Sequence, residues 1–136
     1  MDNLDSRLAA GMKNTMAETL GMELLEVAKG RVVVTMPVDH RTHQPAGLLH
    51  GGASVALAET AASIGGWLLV MAEGKVVVGQ EINANHLRSI RSGKVKAVAE
   101  ILHQGRTSQV WEIKIYDEAE RMVCISRCTL AVIEPR

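Results

Sequence analysis

Gln44-Pro45-Ala46-Gly47-Leu48-Leu49-His50-Gly51-Gly52 runs directly into the apolar segment Ala53–Ala72. A turn rich in Pro and Gly thus delivers a histidine to the mouth of a helix. The segment is apolar almost all round, which predicts a central helix wrapped by sheet rather than a surface helix. One carboxylate, Glu59, stands near its middle. Apolar surroundings disfavour the charged form, raise a carboxyl's pKa and strengthen it as a base. A carboxylate kept there against that cost is a candidate for chemistry.

Before this helix, Leu8, Met12, Met16 and Leu20 recur every fourth residue and predict one amphipathic helix over residues 5–20, closed by Gly21. Met22–Ala28 and Arg31–Val38 are rich in β-formers, with Lys29-Gly30 as the hairpin turn between them. Pro37 marks the end of the second strand. Asp39–Gly52 has no periodicity and holds His40, His43 and His50, so it reads as an ordered functional loop. After the helix, strands are expected over Lys75–Ala84, Lys94–His103, Thr107–Tyr116 and Arg121–Ile133. Two asparagines in Asn83-Ala84-Asn85 fit a strand poorly and predict a bulge or kink there. The order is α-β-β-α and then about four antiparallel strands, an α+β class. With 136 residues, no repeat and no linker, the chain is expected to form a single domain, 1–136.

Composition removes several function classes. Formal net charge is zero with no basic block, and Phe is absent, so neither a nucleic-acid footprint nor a stacking platform is visible. The apolar helix approaches membrane-spanning length, but Glu59, Thr60, two serines and Gly65-Gly66 argue for a core helix instead. Cys124 and Cys128, four residues apart on one strand face, stand roughly 13 Å from each other and are expected to be reduced. No Cys/His cluster has metal-site spacing, so no metal is expected. The start, Met1-Asp2-Asn3-Leu4-Asp5, is polar and acidic, unlike a signal peptide, and the expected location is the cytoplasm.

His40 through Ser54, Ala58-Glu59-Thr60, Glu81-Ile82-Asn83-Ala84-Asn85-His86-Leu87-Arg88 and Gln109-Val110-Trp111 together resemble the PaaI-like thioesterases of the hotdog fold. Within that family the run is most similar to bacterial enzymes acting on 1,4-dihydroxy-2-naphthoyl-CoA and on aroyl thioesters of enterobactin assembly. The resemblance extends over nearly the whole chain beyond about residue 20. It implies a long central helix wrapped by an antiparallel sheet of about six strands. One departure concerns Ala46, where similar enzymes often carry Phe.

The implied activity is hydrolysis of acyl-CoA or acyl-carrier thioesters, with aroyl-CoA of the dihydroxynaphthoyl or hydroxybenzoyl type as the expected substrate. Coenzyme A would then be part of the substrate and not a cofactor. By resemblance, Glu59 either attacks the carbonyl to give a mixed anhydride or activates water. Gly51 N–H would stabilise the oxyanion, a role suited to a helix N-terminus. Ser63, one turn beyond Glu59, either orients water or packs. Gln44 and His50 would hold the thioester carbonyl and the attacking group. For coenzyme A, the resemblance points to Gly79 beside the pantetheine arm, to His86, Leu87, Arg88 and Ser89, and to the turn His103, Gln104, Gly105, Arg106, Thr107 and Ser108. It further implies a homodimer in which Glu59 and His50 of different chains share each active site, with dimers pairing into tetramers. The alternatives are a hotdog dehydratase, whose Phe-Pro-Gly histidine context is absent, and a non-catalytic acyl-CoA-binding module. A plainer reading of Glu59 is an ion pair with an arginine such as Arg88 across a subunit boundary.

Overall fold

β-Branched residues place six strands close to where the sequence pattern puts them. In a computed structural model, which describes residues 3–136, they are β1 (Glu23–Ala28), β2 (Arg31–Pro37), β3 (Val76–His86), β4 (Lys94–Gln104), β5 (Ser108–Tyr116) and β6 (Met122–Ile133). Met1 and Asp2 of the polar start lie outside the described residues. All pairings are antiparallel in the order β1-β2-β4-β5-β6-β3. The long helix α3 (Gly51–Val70) crosses from β2 to β3 at the far edge and ends in a single 3₁₀ turn, Met71–Glu73.

Alternate side chains of the central strands fill the core beneath α3. Val95, Ala97 and Ala99 of β4, Trp111, Ile113 and Ile115 of β5, and Cys124, Cys128 and Leu130 of β6 are fully buried. Each large side chain among them contributes roughly 1.5–3 kcal/mol on burial. The helix meets this layer with a stripe of small residues, Ala53, Ser54, Ala58, Ala61, Ala62, Gly65 and Gly66. Small residues let the backbone approach the sheet closely. Gly65 lies under the Trp111 ring, and a Cβ at Gly66 would stand 2.5 Å from Leu130 Cδ1 and 2.7 Å from Gln109 Oε1. Gln109 is itself fully buried, donating to Gly66 O at 3.2 Å and accepting from Trp111 Nε1 at 2.8 Å. This polar brace, fully satisfied, fixes the rotation of α3 over the sheet.

As expected, α3 is the long central helix packed on a six-stranded antiparallel sheet, with its small-residue stripe buried and its opposite side, including Glu59, Ser63 and Trp67, half-buried. Its length and mean hydropathy of 1.6 would suit a membrane span, but the small stripe is buried on the sheet. The N-terminal helix expected over 5–20 is broken into α1 (Asn3–Gly11) and α2 (Met16–Thr19). Asn14 between them has φ +61°, the left-handed region, and its N–H is held by the Glu18 carboxylate. The strand irregularity lies not at Asn83-Ala84-Asn85, which pair in register with Arg127, Ser126 and Ile125, but at Gln80, an extra residue between Gly79 and Glu81.

Candidate active site

Thr42, Gln44 and His50 set the loop that leads into α3. His50 N donates to Thr42 O, and a bridge pairs His43 with Leu49, closing the loop on itself. Within it Gln44 Oε1 accepts from Ala46 N and from Leu48 N. The amide oxygen is therefore occupied by the loop, and the Nε2 donors remain for a neighbour. His50 occupies the N-cap position, its Nδ1 accepting from Gly52 N at 2.7 Å. Gly51, next in line, keeps its N–H without an acceptor among the described residues, as the first turn of a helix leaves it.

The His86 ring rests against Gly51, close enough that a Cβ there would stand 2.8 Å from Nε2. Together Gln44, Gly51, Ser54, His86, Arg88 and Ser89 line a hollow of about 340 Å³, with exposed Leu87 at its rim. Loop donors, a helix N-terminus and the segment expected to meet coenzyme A thus converge within one chain. His43 Nε2 bonds Arg91 O and His40 is exposed beside Asp39, so neither faces this hollow. Arg41 holds the Asp39 carboxyl down at about 2, by side-chain and backbone hydrogen bonds.

Glu59 and Ser63 lie elsewhere. Eight residues separate Gly51 from Glu59, about 12 Å along the helix axis. Glu59 is half-buried, and its carboxylate rests on Gly79 of β3 with no hydrogen-bond or ion-pair partner among the described residues. It also lies near Cys128. Burial first, then the Glu59 and Glu81 carboxylates, push that thiol up to about 12, so it is no nucleophile at neutral pH. Arg88 lines the other hollow and does not pair with Glu59 in this chain.

Beyond Glu59 a groove of about 670 Å³ opens between α1 and the outer face of α3. Leu8, Met12, Met16, Ile64 and Trp67 form its apolar wall, and Arg7 sits 5.5 Å from the centre of the Trp67 ring. The α1 contribution was not foreseen. The regular spacing of Leu8, Met12 and Met16 signalled an apolar face, but not what that face meets. A larger hollow of about 840 Å³, between α1 and β1, contains none of the candidate residues. Ala46, where similar enzymes often carry Phe, is exposed on its loop and Leu68 packs on the core, so neither lines this groove, whereas Trp67 does.

The turn His103–Ser108 is closed by Gly105 N donating to Ser108 O, and Thr107 O accepts from Val132 N. It sits at the opposite end of the sheet from His86. Ser108 pairs with Ala131 of β6 and His86 with Cys124, seven residues apart on one strand, about 23 Å. One chain therefore separates the expected site into three places: the Gly51 hollow, the Glu59 groove and the β4–β5 turn. Among the described residues, no three His, Cys, Asp or Glu side chains are grouped to hold a metal ion.

Comparison with known proteins agrees with this architecture. Residues 46–124 match the family model described as thioesterase superfamily. The chain is 54% identical over 119 residues to a 1,4-dihydroxy-2-naphthoyl-CoA hydrolase of Listeria monocytogenes, covering 88% of this chain and 96% of that protein. It is 52% identical over 126 residues to the proofreading thioesterase EntH of Klebsiella pneumoniae, covering 93% and 91%. A crystal structure of a thioesterase from Haemophilus influenzae superposes with a TM-score of 0.91 at 50% identity, covering 96% of this chain and 90% of that one.

Proposed function

The chain belongs to the thioesterase superfamily, and from that premise we propose that it hydrolyses aroyl-CoA thioesters at sites shared between two copies of itself. The observation that carries this reading is the distance of about 12 Å between Gly51 and Glu59 on one rigid helix. A thioester carbonyl is far too small to reach both. An antiparallel copy, docked along the unpaired edge of β3, would bring the Glu59 groove of one chain to the Gly51 hollow of the other. Val78 on that edge is 45% exposed, and the strand's eleven residues offer an open row of backbone donors and acceptors. Pairing of such dimers into tetramers is part of the same reading.

In each composite site the Gly51 N–H and the Gln44 amide donate to the carbonyl oxygen and stabilise charge as it develops there. Glu59 from the other chain attacks the carbonyl carbon or takes a proton from water that does so. His50 from the Gly51 side holds the attacking group, and Ser63 aligns the water. The thiolate of coenzyme A then leaves; where Glu59 itself has attacked, water cleaves the resulting anhydride, releasing the acid and restoring the carboxylate. The acyl group lies along the α1–α3 groove, between Glu59 and Trp67. Those two side chains are eight residues apart, about 12 Å, long enough for a fused aromatic ring system. Apolar walls containing two methionines suit such a planar group. The nucleotide end of coenzyme A falls to Arg88, Ser89 and His86, with Arg106 and its turn brought from one of the paired chains. The reaction so written needs no cofactor; the coenzyme is substrate.

A thiol-release assay over aroyl-, phenylacetyl- and fatty acyl-CoAs tests this. Glu59→Gln is expected to lower kcat by about a hundredfold or more, the upper part of the range for a lost general base. Undiminished turnover by folded Glu59→Gln protein removes the mechanism. Binding of CoA esters with no thiol release from any donor would instead favour a binding module.

A further inference from the structure

Glu59 has an unusual support for a catalytic carboxylate. No hydrogen bond or ion pair among the described residues orients it; its carboxylate fills the space that a side chain on Gly79 would need. A Cβ built on Gly79 would overlap Glu59 Oε2, stand 2.8 Å from Cδ and 3.4 Å from Oε1. Both carboxylate oxygens and their carbon are thus packed on the one residue of β3 that has no side chain. The strand is also shaped to present that residue. Val77 packs toward the core, as do Ile82 and Ala84. Strict alternation cannot send both odd and even positions to the same face. The extra residue Gln80, between Gly79 and Glu81, changes the parity and leaves Val77 and Gly79 on the helix side.

We propose that Gly79 is a positioning residue: its bare backbone, set by the Gln80 bulge, is the seat that fixes the Glu59 carboxylate for attack. This rests on Glu59 being the catalytic carboxylate. It adds a second role to the expected place of Gly79 beside the pantetheine arm of the substrate. The atom a new side chain would strike is the free tip of a flexible residue, not backbone or core. The chain can therefore accept alanine here by moving the carboxylate, at little expense in stability. A displacement approaching 1 Å at a reacting group is enough to lose about a hundredfold in rate.

The experiment is steady-state kinetics of Gly79→Ala and Gly79→Ser with benzoyl-CoA, alongside Glu59→Gln and the double variant Gly79→Ala/Glu59→Gln. The expected result is a fall of about a hundredfold in kcat for Gly79→Ala, larger for Gly79→Ser, with KM within about threefold and unchanged melting. In the Glu59→Gln background, Gly79→Ala should have no further effect. A rise in KM with kcat retained would overturn the seat and return Gly79 to substrate contact. So would additive losses in the double variant. If Gly79→Ala is fully active while Glu59→Gln is inactive, the seat alone fails. If Glu59→Gln keeps full activity, the functional reading fails first. Should Gly79→Ala melt lower, a crystal structure of it decides: an unmoved Glu59 carboxylate contradicts the proposal.

Discussion

Gly66→Ala sets two well-known tendencies against each other, and the structure determines the sign. By helix propensity alone, replacing an interior glycine with alanine should stabilise by about 1 kcal/mol. Here the new methyl would lie 2.5 Å from Leu130 Cδ1 and 2.7 Å from Gln109 Oε1, both in the fully buried layer. Overpacking of that kind costs about 1–3 kcal/mol. Lifting the helix to relieve it pulls Gly66 O away from Gln109 Nε2, and a buried donor left without its partner costs about 1–3 kcal/mol more. The net is a loss of about 3 kcal/mol, which for a chain of this size lowers Tm by about 10 °C. Urea unfolding followed by circular dichroism measures it, as a lower midpoint with an unchanged slope. A Gly66→Ala protein more stable than wild type would refute the close helix–sheet packing described for the Gln109–Trp111 brace.

Trp67→Ala should lower kcat/KM for naphthoyl-CoA by about 10- to 200-fold relative to acetyl-CoA, the range for losing part of an apolar pocket. Equal losses for both substrates would exclude Trp67 from the acyl site. Cys124 and Cys128 are buried, with thiols raised by burial, so neither should react with a thiol reagent at pH 8 until the protein unfolds. The Cys128 shift, from 9.0 to about 12, also carries a sign. The native state holds that proton after the unfolded chain has lost it, so the stabilisation is whole below pH 9 and is lost as pH rises toward 12. Cys128→Ala should flatten this alkaline decline in urea midpoints. At the acid end the sign reverses. Asp39, lowered from 3.8 to about 2, stabilises above pH 4 and loses that contribution as pH falls through 2. Asp39→Asn should show a shallower acid decline.

Much of the fold was legible because its determinants are local. The Pro-Gly loop, the histidine at the helix mouth and the apolar run announced α3, and runs of β-formers announced the strands. Other features were hidden for physical reasons. Leu8, Met12, Met16 and Leu20 keep helical spacing across a break that depends on the left-handed backbone of Asn14. The bulge sits at Gln80, where no residue type advertises it, while the suspicious asparagines pair regularly. In the sequence, glycines at 65 and 66 argued only against a membrane span; the sheet reveals them as clearance for Trp111 and Gln109. The candidate site was legible as a set of residues but not as a place. Sequence order could not tell that Gly51, Glu59 and Arg106 would stand at separate points of one chain, nor that α1 would wall the acyl groove.

The claim that one site draws Gly51 and His50 from one chain and Glu59 from another is tested most directly by mixing two inactive variants. Glu59→Gln and His50→Ala chains are co-expressed with different tags, and thiol release is compared with each variant alone. A shared site predicts recovery of about a quarter of wild-type turnover, since half of randomly paired dimers are mixed and each of those holds one intact site of two. No recovery in verified mixed dimers would mean that Glu59 and His50 of the same chain act together, and would contradict the account.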